Sequence, residues 1–118
     1  ISEAAESEIS LAHLYADAAL TRRGLPQKLD AITTLTNVLF QDRVYRFIYQ
    51  LDGQPPTSAQ LKSYFEETSL GELCTDEYYR TIIDNSVTFS YEYEHSDGRV
   101  VLLLDSNSCE TGAMRLME

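Results

Sequence analysis

This chain has little of several residues that usually carry chemistry, and each shortage removes a class of function. Cysteine occurs twice in 118 residues, at Cys74 and Cys109. Histidine also occurs twice, at His13 and His95, with no spacing that joins them to each other or to a cysteine. A zinc site takes about three or four such ligands, so no metal is expected. The five glycines stand singly, which leaves neither a phosphate-cradling loop nor a dinucleotide fingerprint. No Gly-x-Ser-x-Gly elbow presents a serine nucleophile. Long apolar runs are missing too: Val100 to Leu104 is the strongest, against the roughly 20 residues of a membrane-spanning helix. Positive charge is scarce, with nine Lys and Arg against nineteen Asp and Glu and a net charge of −10. Such a chain repels phosphate backbones and anionic lipid surfaces, so neither nucleic acid nor a membrane surface is an expected partner. Tryptophan is absent, but eight tyrosines and four phenylalanines supply large side chains for a core.

What is present starts with the two cysteines. Cys74 follows an amphipathic helix pattern, Cys109 follows a hairpin pattern, and no third thiol competes for either. They read as one disulfide, and a lone bridged pair belongs to an oxidising compartment. The expected location is therefore exported, periplasmic or secreted. A redox role would need a depressed thiol pKa, and there is no Cys-x-x-Cys spacing or flanking basic residue to depress one.

Hydrophobic periodicity predicts one α+β domain over 1–118, with an N-terminal helix over 1–24, a sheet-and-helix core over 29–109 and a short tail over 110–118. In the first helix Ile9, Ala12, Ala16 and Ala19/Leu20 mark one side, broadened by Leu11, Leu14, Tyr15 and Ala18. Glu3, Glu6 and Glu8 suit its positive end, and Gly24 and Pro26 stop it. Leu29 to Phe40 is β-branched and predicts a strand with Ile32, Thr34, Thr36, Val38 and Phe40 on one side and Leu35 and Leu39 on the other. Gln41-Asp42 connects it to a second strand over Arg43 to Leu51. A Gly53-Gln54-Pro55-Pro56 turn leads to Thr57 and Gln60, which have capping-box spacing. The helix that follows should bury Leu61, Tyr64, Phe65 and Leu73 and break near Gly71. Thr75, Asp76 and Glu77 cap a further helical stretch that stops at Asn85. Val87 to Glu94 alternates cleanly, Asp97-Gly98 marks a turn, and Val100 to Leu104 returns apolar on both faces. The prediction is an antiparallel sheet of about four strands in two hairpins, order α-β-β-α-β-β, with helices on one face.

Several of these runs occur together in a known order: Leu29-Asp30-Ala31-Ile32-Thr33-Thr34-Leu35-Thr36, the Arg46-to-Tyr49 strand, Leu73-Cys74-Thr75-Asp76, Ile82-Ile83-Asp84, Phe89-x-Tyr91-x-Tyr93, Asp97-Gly98 and Cys109. In this the chain resembles the quorum-sensing-regulated virulence factor family of small exported bacterial proteins, from Leu29 to Cys109. Asn85-Ser86 stands where that pattern has a glycine. The resemblance implies export, a Cys74–Cys109 bridge and a link to virulence, and it carries over no catalytic residue.

Neither catalytic nor metal-ligating residues are therefore assigned, and no cofactor is expected. Glu66, Glu67, Glu72, Asp76 and Glu77 form an acidic stretch that reads as a solvated face. Asp105 and Asn107 have only the first spacing of a calcium loop. The remaining candidates are Tyr45, Tyr49, Tyr91 and Tyr93. Strand tyrosines are mostly core with the hydroxyl reaching water. On an open face these four would instead form an aromatic binding face, with an acidic rim favouring a basic protein partner. The functional expectation is a non-enzymatic protein-interaction module. It predicts an exposed apolar or charged patch with no deep cavity, whereas the alternative, a periplasmic small-ligand carrier, predicts a closed, tyrosine-lined pocket of at least ~300 Å³ between helix and sheet.

Overall fold

A computed structural model describes residues 11–53, 56–96 and 98–117. In chain order its elements are α1 (Leu11–Arg22), β1 (Gln27–Lys28), β2 (Thr33–Gln41), β3 (Val44–Leu51), α2 (Ser58–Thr68), α3 (Leu70–Thr75), α4 (Glu77–Asp84), β4 (Thr88–His95), β5 (Gly98–Leu104), α5 (Ser106–Thr111) and β6 (Arg115–Met117). The first ten residues of the helix expected over 1–24, with Ile9 and the three glutamates, lie outside the described residues. So do Gln54 and Pro55 of the expected turn, and Asp97 of the Asp-Gly pair. No described helix is long and apolar enough to cross a membrane.

Both expected hairpins form, β2 with β3 and β4 with β5. Asp42 and Arg43 take positive φ of 53° and 62°, and Gln41 pairs with Val44. That is a two-residue turn of the kind that matches strand twist. It moves the expected Gln41-Asp42 connection on by one residue, so β3 begins at Val44. The four-stranded antiparallel sheet is corrected to a six-stranded mixed one, in the order β1-β2-β3-β4-β5-β6. Its two hairpins join through a parallel pairing that runs from Val44↔Thr88 to Gln50↔Glu94. Parallel neighbours need a crossover of about a dozen residues or more, and α2, α3 and α4 supply it. β1 and β6 add two- and three-residue edges, too short for side-chain alternation to announce them. The expected tail contains the end of α5 and β6. Asp105 caps α5 by accepting from the Ser108 N–H at 3.2 Å, and Gly112 ends it at φ 74°.

On the helix-covered face, paired strand residues fall into three rows. They are Phe40, Tyr45, Phe89 and Leu104; then Val38, Phe47, Tyr91 and Leu102; then Leu35, Tyr49, Tyr93 and Val100. Leu35 reaches this face because a bulge between Leu35 and Asn37 resets the alternation. This corrects the parity expected for β2: Leu35 is buried with Val38 and Phe40, and Thr36 is exposed.

The helices cover the rows unevenly. Leu14 and Ala18 of α1 are buried while Ala12 and Ala16 are exposed. An alanine-rich helix has a weak apolar phase, and specific bonds fix its docking. Tyr45 donates its hydroxyl proton to Asp17 at 2.7 Å, and Arg22 donates to the Val38 carbonyl at 2.7 Å. The Thr57/Gln60 capping box forms at the start of α2 as expected. Leu61 and Phe65 are buried, whereas Tyr64 points outward at 62% exposure. The break falls at Ser69, and Gly71 lies within α3. Asp76, rather than Thr75, caps α4 by accepting from the Tyr78 and Tyr79 N–H groups. Ser86, not Asn85, takes the left-handed conformation at φ 65°.

Cys74 in α3 and Cys109 in α5 form the disulfide, with Cα atoms 5.6 Å apart and a sequence separation of 35. The bridge ties the crossover layer to the segment that follows β5. Closing a loop of this length removes unfolded-chain entropy worth about 4 kcal/mol. The Cys74→Ser/Cys109→Ser double variant is therefore expected to lose about that much unfolding free energy. Urea titration against the oxidised parent would measure it, and an unchanged midpoint would contradict this role.

Candidate functional site

The three rows of side chains leave part of the covered face uncovered. At one end α1 closes over the first row, where Tyr15 meets Phe40 edge-on with ring centres 4.9 Å apart. Across the sheet, Phe65 of α2 lies 4.8 Å from Tyr91, and Tyr79 of α4 lies 5.9 Å from Phe89. Beside them opens a groove of about 1200 Å³. Its floor is Tyr49, Tyr91 and Tyr93, its wall includes Leu61, Phe65 and Leu73, and Asp30, Glu72 and Asp76 bring carboxylates to it. At the rim Leu29 is 50% exposed and Ile32 39%, so the groove opens to solvent.

Three of the four tyrosines singled out from the sequence thus share one site. Tyr45 is buried beneath α1 and hydrogen-bonded to Asp17, outside the groove lining. Sequence patterns missed the rim and wall. Leu29 and Ile32 sit in a polar turn held by Asp30, whose Oδ1 accepts from the N–H groups of Ile32 and Thr33 at 2.9 and 2.8 Å. The available signal was two large apolar residues flanking an aspartate turn. Tyr64, expected on a buried side, instead lines the groove with an open ring, and Tyr79 joins it there with a partly open one.

Tyr49 stacks on Tyr93 at 4.7 Å and Phe47 on Tyr91 at 5.4 Å, which holds the phenol rings upright on the sheet. Burial pushes the Tyr49 phenol up to about 12. Tyr91 and Tyr93 are pushed higher still, first by burial and then by neighbouring phenols. The floor is therefore neutral at physiological pH, with hydroxyls able both to donate and to accept. The Asp30 carboxyl is held below its ordinary range by the Ile32 N–H bond.

The opposite face of the sheet carries a different arrangement. Glu92 is buried at 3% exposure and accepts from Arg46 Nε at 2.6 Å and Nη2 at 2.8 Å. Ser90 donates to it at 3.0 Å, and Arg99 stands 3.4 Å away. The Arg46 hydrogen bonds hold its carboxyl below the usual range against the opposing effect of burial. Glu92 is thus the bonded centre of an ion-pair cluster with Arg46, Arg99 and Ser90. His13 lies outside both places, its Nε2 3.4 Å from the Tyr78 hydroxyl on the α1–α4 surface. Among the described residues no three of His, Cys, Asp and Glu gather as metal ligands.

No protein-family model and no curated protein matches the chain. Solved structures do. A pilotin of the Vibrio vulnificus type 2 secretion system superposes with a TM-score of 0.63 at 19% identity, over 89% of this chain and 96% of that one. The fold resembles that of secretion-system pilotins. The pilotin of the Vibrio cholerae type II secretion system aligns with a TM-score of 0.58 at 16% identity, over 92% of this chain and 100% of its own. A Pseudomonas aeruginosa protein described as secreted gives 0.66 at 12% identity, over 92% and 98%. At such identities the likeness is one of fold, so the site must be argued from this chain's own residues.

Two pH-dependent outcomes follow from the two faces. Raised phenol pKa values stabilise the fold fully below the unfolded tyrosine value of about 10, and that stability is lost as pH rises toward the folded values. An ultraviolet phenolate titration should show a group of tyrosines that ionises only together with loss of near-ultraviolet dichroism; complete ionisation before any loss of dichroism would contradict the buried floor. The depressed carboxyl of Glu92 has the opposite sign: its contribution is present above about pH 4.3 and lost as pH falls through the folded pKa. Glu92→Gln should cost about 2 kcal/mol at neutral pH and flatten the fall in stability on acidification, measured by denaturant titration across that range.

Proposed function

We propose that this protein is an exported, non-enzymatic binding module that receives a segment of a partner protein in the groove over Tyr49, Tyr91 and Tyr93. The carrying observation is the groove itself: about 1200 Å³, open along a rim where Leu29, Ile32 and Tyr64 expose apolar surface. Small-ligand pockets usually measure about 300–1,000 Å³ and enclose most of their ligand. An open, larger groove with exposed apolar rims suits a peptide segment better than a carried metabolite. The Cys74–Cys109 bridge supports export, and the net charge of −10 draws a basic partner at long range. Two of the structural neighbours are pilotins, which supports a role beside a bacterial secretion system. The ordered runs from Leu29 to Cys109 support membership of the quorum-sensing-regulated virulence factors, and the Pseudomonas aeruginosa neighbour described as secreted supports export alone.

A photo-crosslinking side chain in place of Tyr64 should form one dominant adduct in cells producing the protein. The same group in place of Thr36, an exposed residue of β2, should form none. Equal adducts from both positions, or none from the groove, would overturn the reading. Tyr64→Ala should change stability by no more than about 0.5 kcal/mol while weakening capture of that partner about tenfold, the scale of a moderate hot spot.

A further inference from the structure

The hydroxyl groups on the groove floor narrow what that partner must carry, and this inference rests on the groove being the partner site. Tyr91 and Tyr93 are each 7% exposed, and both line the groove with Tyr49. Among the described residues none of these three hydroxyls has a hydrogen-bond partner in the protein, although no side-chain polar atom is sealed away unpaired. The hydroxyls therefore reach the groove with their bonding capacity unspent. Buried polar groups of this kind are satisfied by water or by an incoming ligand.

The surrounding charge selects the ligand. Asp30, Glu72 and Asp76 line the groove, and among the described residues no Lys, Arg or His does. The Asp30 turn holds its carboxylate through Oδ1, so the charge is fixed in place, close enough to raise the Tyr93 phenol further. An acidic group entering here would meet like charge without a counterion. A cation is favoured, and on the floor the stacking of Tyr49 with Tyr93 and the packing of Phe47 and Phe65 on Tyr91 leave little ring face to receive it. What the groove presents is phenol oxygens and carboxylates, the acceptors that guanidinium and ammonium N–H groups require.

We propose that the groove takes a cationic side chain, an arginine or lysine carried by the partner on an otherwise apolar segment. Its N–H groups bond the hydroxyls of Tyr49, Tyr91 and Tyr93 and the carboxylates of Asp30 and Glu72, while the flanking apolar residues cover Leu29, Ile32 and Tyr64. The test uses the full chain with ring-labelled tyrosine and two small probes of equal shape, butylguanidinium and butylurea. Butylguanidinium should shift the Tyr49, Tyr91 and Tyr93 resonances saturably and bind about tenfold more tightly than the neutral probe. The Asp30→Asn/Glu72→Gln variant should erase that preference. Both positions are exposed, and the Asp30→Asn change keeps the side-chain oxygen that holds the turn, so the fold serves as its own control through unchanged resonances elsewhere. No saturable shift, equal affinity of the two probes, or a preference that survives the double substitution would each overturn the proposal. A positive crosslink from position 64 combined with any of those results would leave the partner groove standing and remove only its cationic anchor.

Discussion

Two strands that run the same way cannot be joined by a tight turn, and β3 and β4 run the same way. Everything between Leu51 and Thr88 is shaped by that requirement. The chain must leave one end of the sheet, cross a face and re-enter at the other end, and it does so as three helices, α2, α3 and α4. This crossover puts Phe65 and Tyr79 against β4, brings Cys74 within reach of Cys109 and determines which side of the sheet is dry.

The roof is incomplete, and its incompleteness makes the site. α1 closes the Phe40 end with few buried residues and a hydrogen bond to the Tyr45 hydroxyl. The crossover helices close the centre through Phe65. The third row lies beyond both supports, so its tyrosines are buried along their rings and open at their tips. A core built of leucine at these positions would bury as much apolar surface without demanding a bonding partner. Tyrosine keeps the packing and places hydroxyls where an occupant meets them. The other face solves a different problem: Glu92 with Arg46, Arg99 and Ser90 forms a bonded polar centre among its strands.

Much was legible from local pattern alone. The hairpins, the Thr57/Gln60 capping box, the alternating β4 strand and the disulfide each depend on residues near in sequence or on simple cysteine count, and all are present. Errors gathered where local signals are weak or balanced. Alanine at 12, 16, 18 and 19 left the phase of α1 open. A bulge at Leu35 inverted the parity of half a strand. Edges of two and three residues, β1 and β6, are shorter than any period that could reveal them. Of the four tyrosines, local alternation put Tyr45 and Tyr49 on one strand face and Tyr91 and Tyr93 on another, with nothing to say that three would floor a groove and the fourth would sit under a helix.

The sequence by itself determined the four longer strands and the helical nature of the segment between the hairpins, where several elements are capped, which two cysteines are bridged, and that the protein is strongly acidic. These follow from side-chain period, capping chemistry and composition, all of which act over a few residues or over the whole chain at once. Only the tertiary structure decided that the two hairpins meet in parallel, which face the crossover covers, and which tyrosine hydroxyls remain unpaired. Those outcomes depend on pairing between residues some 44 positions apart, as in Val44 with Thr88, and on how much of one face three short helices can cover. Neither leaves a mark in local periodicity, because the same alternating strand satisfies its own pattern whichever neighbour it finds.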